Sequence, residues 1–443
     1  MRVRKDNVKS FILSLTFLSF FEMGWCQLDR DTTKIDTLAT LLESKSYPNI
    51  SAGEFTPSKG FDLVKTKYGV LNFSMYALVR YLNQLPGNQT WYDHLGNKQA
   101  FTGRNDFYWH RTMLWFSGFV LTPKLTYMAT VWTIMTTQQT LVYGNIQYMF
   151  NKHLRVGMGI FPNLSIRSMQ GPFPYYLSTD RTMGEEQLRA GFTNGLRVTG
   201  EITSRFNYTV FLGDNLSALG INAGQLTRHL SKGISFLWMP TTGEFGPRGG
   251  LNDLENHEHL ATRFGISYTH CRENRFNETG TPGPDETQIR NTDGVLFFQT
   301  GALAPNVTVT EANYDMFSVD LGMKYQGFGV QAEIYGRKLS KFDVDGPVPI
   351  NTINDFAYSL QLYKMVIPKK VSAYLIHSFV FDQWDRRPWE LGGGANVYPL
   401  KSRTWRLNLQ VDYVYKCGAG GTFGLYTAGQ TGTTITFGCD IIL

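Results

Sequence analysis

From Thr404 to Tyr415 apolar and polar residues alternate almost without fault. Trp405, Leu407, Leu409, Val411, Tyr413 and Tyr415 fall on one parity, and Arg406, Asn408, Gln410 and Asp412 on the other. A period of two puts successive side chains on opposite faces of a strand, so this segment has one apolar and one polar, partly charged face. The pattern recurs along most of the chain with aromatics at the segment ends, for example Phe317, Val319, Leu321, Met323 and Tyr325. Strands that are apolar outside and polar inside describe a closed sheet set in lipid around a polar lumen. A soluble β-sandwich of lectin type, which the Tyr and Trp content would also suit, rarely needs so many such faces.

The alternation predicts strands at 70–83, 104–121, 125–136, 141–151, 154–161, 193–203, 205–213, 233–239, 259–271, 313–325, 327–338, 352–365, 369–381, 388–398, 403–415 and 431–443. That is an all-β chain forming a transmembrane antiparallel barrel of sixteen strands. The connections test the assignment, because barrels of this kind pair short periplasmic turns with long outer loops. Thr122–Lys124, Lys152-His153, Ser204, Gln326, Pro368 and Pro399–Ser402 are short, whereas 84–103, 162–192, 214–232, 272–312, 339–351 and 416–430 are longer. Val295–Phe298 then falls inside an outer loop. Residues 240–258 break the rule, since a tight turn is due there; another pair of strands near them would make the count eighteen.

Ahead of the barrel, residues 1–26 read as a secretory signal: Arg2, Arg4, Lys5 and Lys9, then the apolar run Phe11–Phe21, then Gly24-Trp25-Cys26 as cleavage site. Acylation at Cys26 is the rival reading, and the bulk of Trp25 argues against it. Residues 27–69 read as a periplasmic lead-in, with a short helix suggested by Ile35, Leu38, Leu41 and Leu42. The net charge of +6 falls to +4 without the signal, because four basic and two acidic residues leave with it, and this is no nucleic-acid signature. Cys271, Cys417 and Cys439 are too few and odd in number for a disulfide scaffold. Cys417 and Cys439 share the apolar parity and are expected at the lipid face or rim, unbonded to each other.

Parity also selects the inward face. Arg80, Arg155, Arg197, Arg205, Arg263, Lys324, Arg337 and Arg406 point in, with Glu201, Asp320, Glu333 and Asp412, and they are expected to line water. Basic residues exceed acidic ones, which gives weak anion preference. The third outer loop, 162–192, is expected to fold inward and narrow the lumen, its Arg167, Arg181, Glu185, Glu186 and Arg189 acting where the field is focused. The chain carries no hydrolase elbow, HExxH pair or phosphate loop, so neither an enzyme nor a cofactor is expected. His257-Glu258-His259 lacks a spaced partner set, and no metal is expected there. Gly392-Gly393-Gly394 fits a strand closely crossed by another group.

Several stretches resemble the phosphate-selective porin O/P-type family and its porin relatives. They are Arg80–Gln84, Arg104–Asp106, Val131–Thr133, Asp180–Met183, Asn215–Ser217, His259–Gly265, Asp293-Gly294, Asn313–Met316 and Leu407–Val411. The resemblance runs from about residue 53 to the end and lies in the order of these stretches. It implies a sixteen-stranded homotrimeric channel for small ions and solutes, its third loop in the pore, set in outer-membrane lipid and lipopolysaccharide of a Gram-negative bacterium. It also implies handling by the barrel-assembly machinery, although Ile441-Ile442-Leu443 replaces the usual terminal aromatic residue. Loop 162–192 sets three arginines against three acids without lysine, so phosphate preference is not implied. The alternative from a different class is a surface-binding or adhesion scaffold acting through the outer loops, 272–312 above all.

Overall fold

The computed structural model describes residues 56–443 apart from 136–138, 172, 217–223, 225, 275–288 and 421–424. The signal, the candidate helix at 29–46 and Cys26 lie outside the described residues. In chain order the elements are β1 (Phe61–Thr66), β2 (Gly69–Leu85), β3 (Asn88–Tyr92), β4 (Lys98–Thr102), β5 (Asn105–Val120), β6 (Thr122–Ile134), β7 (Gln139–Asn151), β8 (Leu154–Pro162), α1 (Arg167–Gln170), α2 (Met183–Leu188), β9 (Phe192–Thr203) and β10 (Phe206–Gly213). Then follow β11 (Ser231–Trp238), β12 (Ala261–Asn274), β13 (Val309–Tyr325), β14 (Phe328–Val344), β15 (Thr352–Ile367), β16 (Val371–Phe381), β17 (Trp389–Val397), β18 (Trp405–Tyr415) and β19 (Gly432–Ile442).

Sixteen of these strands close an antiparallel barrel. Closure is made where β19 pairs with β2, through Phe437↔Tyr81 and Ile441↔Ala77. Each strand assigned from the alternation has its counterpart. The sequence reading missed three strands. β1 forms a hairpin with the first half of β2. β3 and β4 pair with each other inside the first long loop. No pair of strands hides between β11 and β12: residues 239–260 hold one 3₁₀ turn, Pro247–Gly249, so sixteen stands.

The outward face is apolar over the full circumference, from Val142 and Ile146 on β7 to Leu375, Leu391 and Leu409 on β16–β18. Cross-strand aromatic pairs ring both ends. At the long-loop end Phe356 meets Phe381 (6.1 Å between ring centroids) and Trp389 meets Tyr413 (5.4 Å). At the short-turn end Phe206 meets Phe236 (5.8 Å) and Trp238 meets Phe264 (5.6 Å). An apolar belt between aromatic rings on a closed barrel is the architecture of a bacterial outer membrane protein.

The inward face departs from expectation in two ways. On β2, β5, β6 and β7 it is largely apolar: Tyr76, Leu78, Leu82, Met113, Trp115, Trp132 and Tyr143 are buried there in one cluster with loop residues. On β13–β18 it is polar as expected but does not line water. Arg406, Asn408, Gln410 and Asp412 are at most 1% exposed. Arg205 is not a wall residue at all; it sits exposed in the short turn before β10 and donates to the Pro240 carbonyl. Cys417 is not at the lipid face either, being buried where its N–H bonds the Gln430 carbonyl at 2.9 Å. Cys439 is outward, and the Trp405 indole N–H lies 3.4 Å from its sulfur.

At Gly392 an added Cβ would lie 1.7 Å from the Asp412 carboxylate and at Gly394 2.5 Å from the Tyr374 hydroxyl. Neighbouring side chains cross β17 at those bare positions, which is why the glycine run sits in a strand.

Candidate channel constriction

The segment 163–191, between β8 and β9, packs against the inward face of the opposite wall. A non-helical backbone buried at membrane depth needs partners for its N–H and C=O groups. Here the wall side chains provide them. Arg406 donates to the carbonyls of Tyr176 (2.6 Å) and Ser178 (3.1 Å), and Asn396 to that of Leu177 (3.0 Å). Gln410 accepts from Thr179 N (2.9 Å), Glu390 from Met183 N (2.7 Å) and Ser378 from Gly184 N (3.1 Å). Arg337 donates to the Gln187 carbonyl (3.2 Å) and Tyr314 to that of Leu188 (2.7 Å). The polar parity of β13–β18 is therefore a template for loop backbone. Apolar loop residues, including Ile166, Met169, Phe173 and Leu177, face the apolar side of the lumen.

The five constriction candidates take separate partners. Arg167 donates to the Gly249 carbonyl (2.5 Å) and to Gln331, its backbone N–H bonds Glu333 (2.9 Å), and its guanidinium stacks on Phe245. Arg181 bonds the Ser168 hydroxyl (3.1 Å). Glu185 caps α2: its carboxylate accepts from Thr182 N (2.9 Å) while the Thr182 hydroxyl accepts from Glu185 N. Arg167, Arg181 and Glu185 still feel one another electrostatically. Glu186 and Arg189 form their own two-pronged pair, 3.0 and 3.1 Å. None of the five projects into open water, because each is tied down by backbone, a hydroxyl or a counter-charge.

The wall candidates divide likewise. Arg263 pairs with Asp320 (2.9 Å), Arg337 with Asp355 (2.6 Å) and Arg406 with Asp440 (2.5 Å). Lys324 is fully buried and donates to the carbonyls of Phe245 (2.9 Å) and Asn252 (2.7 Å). Arg80 lies in a cluster with Arg104, Asp106, Arg111 and Asp180. Sequence reasoning missed His110 and Arg111. The register slips between Leu78↔Arg111 and Val79↔Trp109, so His110 is an extra residue and two adjacent side chains turn inward. Arg111 then bonds Asp180 at 2.5 Å. The legible signal was His110-Arg111 interrupting an otherwise alternating strand.

The second filling element is the long connection 239–260 at the short-turn end, with Phe245, Leu251, Asp253 and Leu254 buried. It is fastened to the third loop, where Leu251 N bonds the Tyr175 carbonyl (3.1 Å). At Gly250 an added Cβ would lie 2.8 Å from Tyr175 Cβ, so the two segments touch backbone to side chain. Asp253, Glu255 and His257 gather within 4.8 Å, the grouping nearest to a metal site among the described residues. Glu258 and His259, weighed with His257 in the sequence, are exposed and do not join it. Both His257 nitrogens already meet carboxylates: Nδ1 that of Asp253 and Nε2 that of Glu244 (2.9 Å). Burial opposes the imidazolium, but these two hydrogen bonds outweigh it and push His257 up to about 9. Asp253 and Glu244 are held low, burial being outweighed by His257 and, for Glu244, by the Gly246 N–H. With both imidazole nitrogens bonded to carboxylates, His257 joins Asp253 and Glu244 in an ion-pair lock.

The sign of its pH dependence follows. His257 is raised, so its contribution is full below about 6.5, the free imidazole value, and is lost as pH climbs through about 9. The two carboxylates are depressed, so theirs is present above the ordinary carboxylate range and lost on acidification below it. Protection of 244–257 from hydrogen exchange, taken relative to the intrinsic rate, is therefore expected to be greatest near pH 6 and to fall above pH 9, with His257→Gln removing the alkaline step. An alkaline step of equal size in His257→Gln would remove the lock.

The wall of β6–β9 differs. Near its short-turn ends the inward residues Thr126, Gln147, Met149 and Arg155 stay half-exposed. A solvent-accessible crevice is thus confined to the short-turn end of this side; deeper along it Thr130, Trp132, Asn145 and Arg197 are buried.

No family model matches the chain, and no curated protein matches it by sequence. Solved structures do. The anion-selective porin from Comamonas acidovorans is 12% identical over 85% of this chain and 100% of its own, with a TM-score of 0.49. Outer-membrane expressed OmpT of Vibrio cholerae is 10% identical over 86% and 99%, also at 0.49. OprB of Pseudomonas putida is 10% identical over 85% and 94%, at 0.45.

Proposed function

We propose that the chain is a passive outer-membrane channel for small hydrophilic solutes with weak preference for anions. One observation carries the reading: at the short-turn end of the β7–β9 wall Arg155 stays half-exposed with Arg197 buried behind it, and the inward acid beside them is Glu201. Elsewhere on the wall Arg263, Arg337 and Arg406 are dry and each paired with a carboxylate, so those charges cancel at the distance of a passing ion. The third loop is the narrowing element in this reading, with Arg167, Arg181, Glu185, Glu186 and Arg189 shaping the loop more than the field. The homotrimer implied by the family resemblance belongs to the proposal, and cross-linking in native membranes checks it.

The test is reversal potential in planar bilayers under a salt gradient. Arg155→Gln is expected to move it toward zero, whereas Arg181→Gln, already buried and bonded to Ser168, leaves it nearly unchanged. The opposite ranking would put selectivity back on the third loop; absence of discrete conductance steps would end the channel reading.

A scaffold that acts through its outer loops is the second reading, favoured by the packed lumen on the β13–β18 side. It expects liposomes carrying the protein to show no solute-dependent swelling.

A further inference from the structure

Arg197 is the anomaly of the inward wall. It is 6% exposed, yet its Nε and Nη2 have no hydrogen-bond partner. Its guanidinium carbon lies 5.5 Å from the Phe161 ring, which faces the cation but takes no proton. The buried arginines of the far wall, Arg263, Arg337 and Arg406, each hold a carboxylate. The inward acid on its own strand, Glu201, is four residues away, roughly 13 Å along the strand, and has Lys152 3.9 Å off. A buried charge without counter-charge is costly, so a fold that keeps one has a use for it or meets an ion there.

The surroundings suit an oxyanion. Arg197 stands opposite Gly157 on β8 and Phe211 on β10. At Gly157 an added Cβ would lie 2.6 Å from Gln147 Cγ and 3.0 Å from the Phe161 ring, so these two side chains cover the strand beside the guanidinium and neither is an acid. One pair further along the same face, Arg155 stands opposite Thr199, Thr199 opposite Thr209, and Thr209 opposite Ser235. Two guanidiniums beside a row of hydroxyls offer forked donors and rotatable O–H groups to a compact anion, and Arg155 opens to the crevice.

We propose that Arg197 and Arg155, with the hydroxyls of Thr199 and Thr209, form a binding site for a small oxyanion on the β8–β10 wall, apart from the third loop. The inference deepens the channel reading and rests on it for the ion's route in. Sulfate is the probe, because its charge does not change with pH. Equilibrium binding of labelled sulfate to the purified barrel in detergent, at constant ionic strength set by chloride, is the measurement. Saturable binding is expected, weakened about tenfold in Arg197→Gln, the scale of one lost charge-assisted donor set. Arg155→Gln weakens it by a smaller factor, Arg197→Lys restores part, and Arg205→Gln, in the exposed turn, changes nothing. Heat-modifiable migration on gels shows whether each variant is folded, and if Arg197→Gln is not, Arg155→Gln decides. No saturable binding to the wild type, or equal binding in a folded Arg197→Gln or Arg155→Gln, overturns the site. Conductance of the same preparations separates the two readings: conductance without binding removes the site and leaves the channel, and binding without conductance supports the site and removes the channel.

Discussion

Replacing residues 243–260 by a two-residue Asn-Gly turn is expected to raise single-channel conductance several-fold. Every other short-turn connection between barrel strands is a few residues long, and only the one between β11 and β12 folds back into the barrel mouth. There it buries Phe245, Leu251 and Leu254 and covers the base of the third loop through Leu251 and Tyr175. The strand ends it joins are ready for a tight hairpin: Trp238 pairs with Phe264, and the Thr241 and Thr262 hydroxyls lie 3.1 Å apart. Removing the segment also frees Lys324, whose ammonium is held by the Phe245 and Asn252 carbonyls, to meet solvent. The measurement is conductance in planar bilayers, with folding checked by migration on gels. An unchanged conductance in a folded barrel would show that the third loop alone sets the limit.

Arg406→Leu is expected to be the most damaging single substitution on the wall, costing about 3 kcal/mol. Arg406 and Asp440 are each 1% exposed, and the guanidinium meets the carboxylate through two nitrogens at 2.9 and 2.5 Å. Its third nitrogen holds three carbonyls of the loop, at Tyr176, Leu177 and Ser178. Leucine takes that donor from the three carbonyls and leaves Asp440 with Arg403 as its remaining cation. The loss reads as a lower unfolding midpoint in urea with detergent. Removing the acid as well, in Arg406→Leu with Asp440→Leu, should cost less than the two single losses added together, since both singles break the same Arg406–Asp440 pair, although Arg403 then loses its carboxylate too. A double variant as weak as the sum of the singles would assign the effect to the loop carbonyls instead.

The fold was legible because a period of two survives whatever the strand faces. Trp405 to Tyr415 and Phe317 to Tyr325 announce an outward parity, and the short and long connections fix the count. β1 was not legible, since Phe61–Thr66 is six exposed residues with no buried parity to reveal it. The constriction was legible only as a place. That Glu185 caps a helix and Arg189 pairs with Glu186 depends on the fold of the loop, although Thr182 and Glu185 carry the spacing of a capping box. One signal was read wrongly, the length of 240–258, which marks an inward-folded connection and not an extra pair of strands; another went unread, the apolar residues on both parities of β2 and β5, such as Leu82 and Trp115.

The sequence by itself determined that sixteen strands turn one apolar face to lipid, because lipid tolerates no exposed polar parity and so imprints the pattern directly. What the inward face meets was decided by tertiary structure alone. A polar side chain such as Arg406 or Gln410 has the same place in the pattern whether its hydrogen bonds end on water or on a loop from the far side of the barrel. Only the folded chain brings Tyr176, Ser178 and Thr179 to them, and leaves Arg197 without a partner.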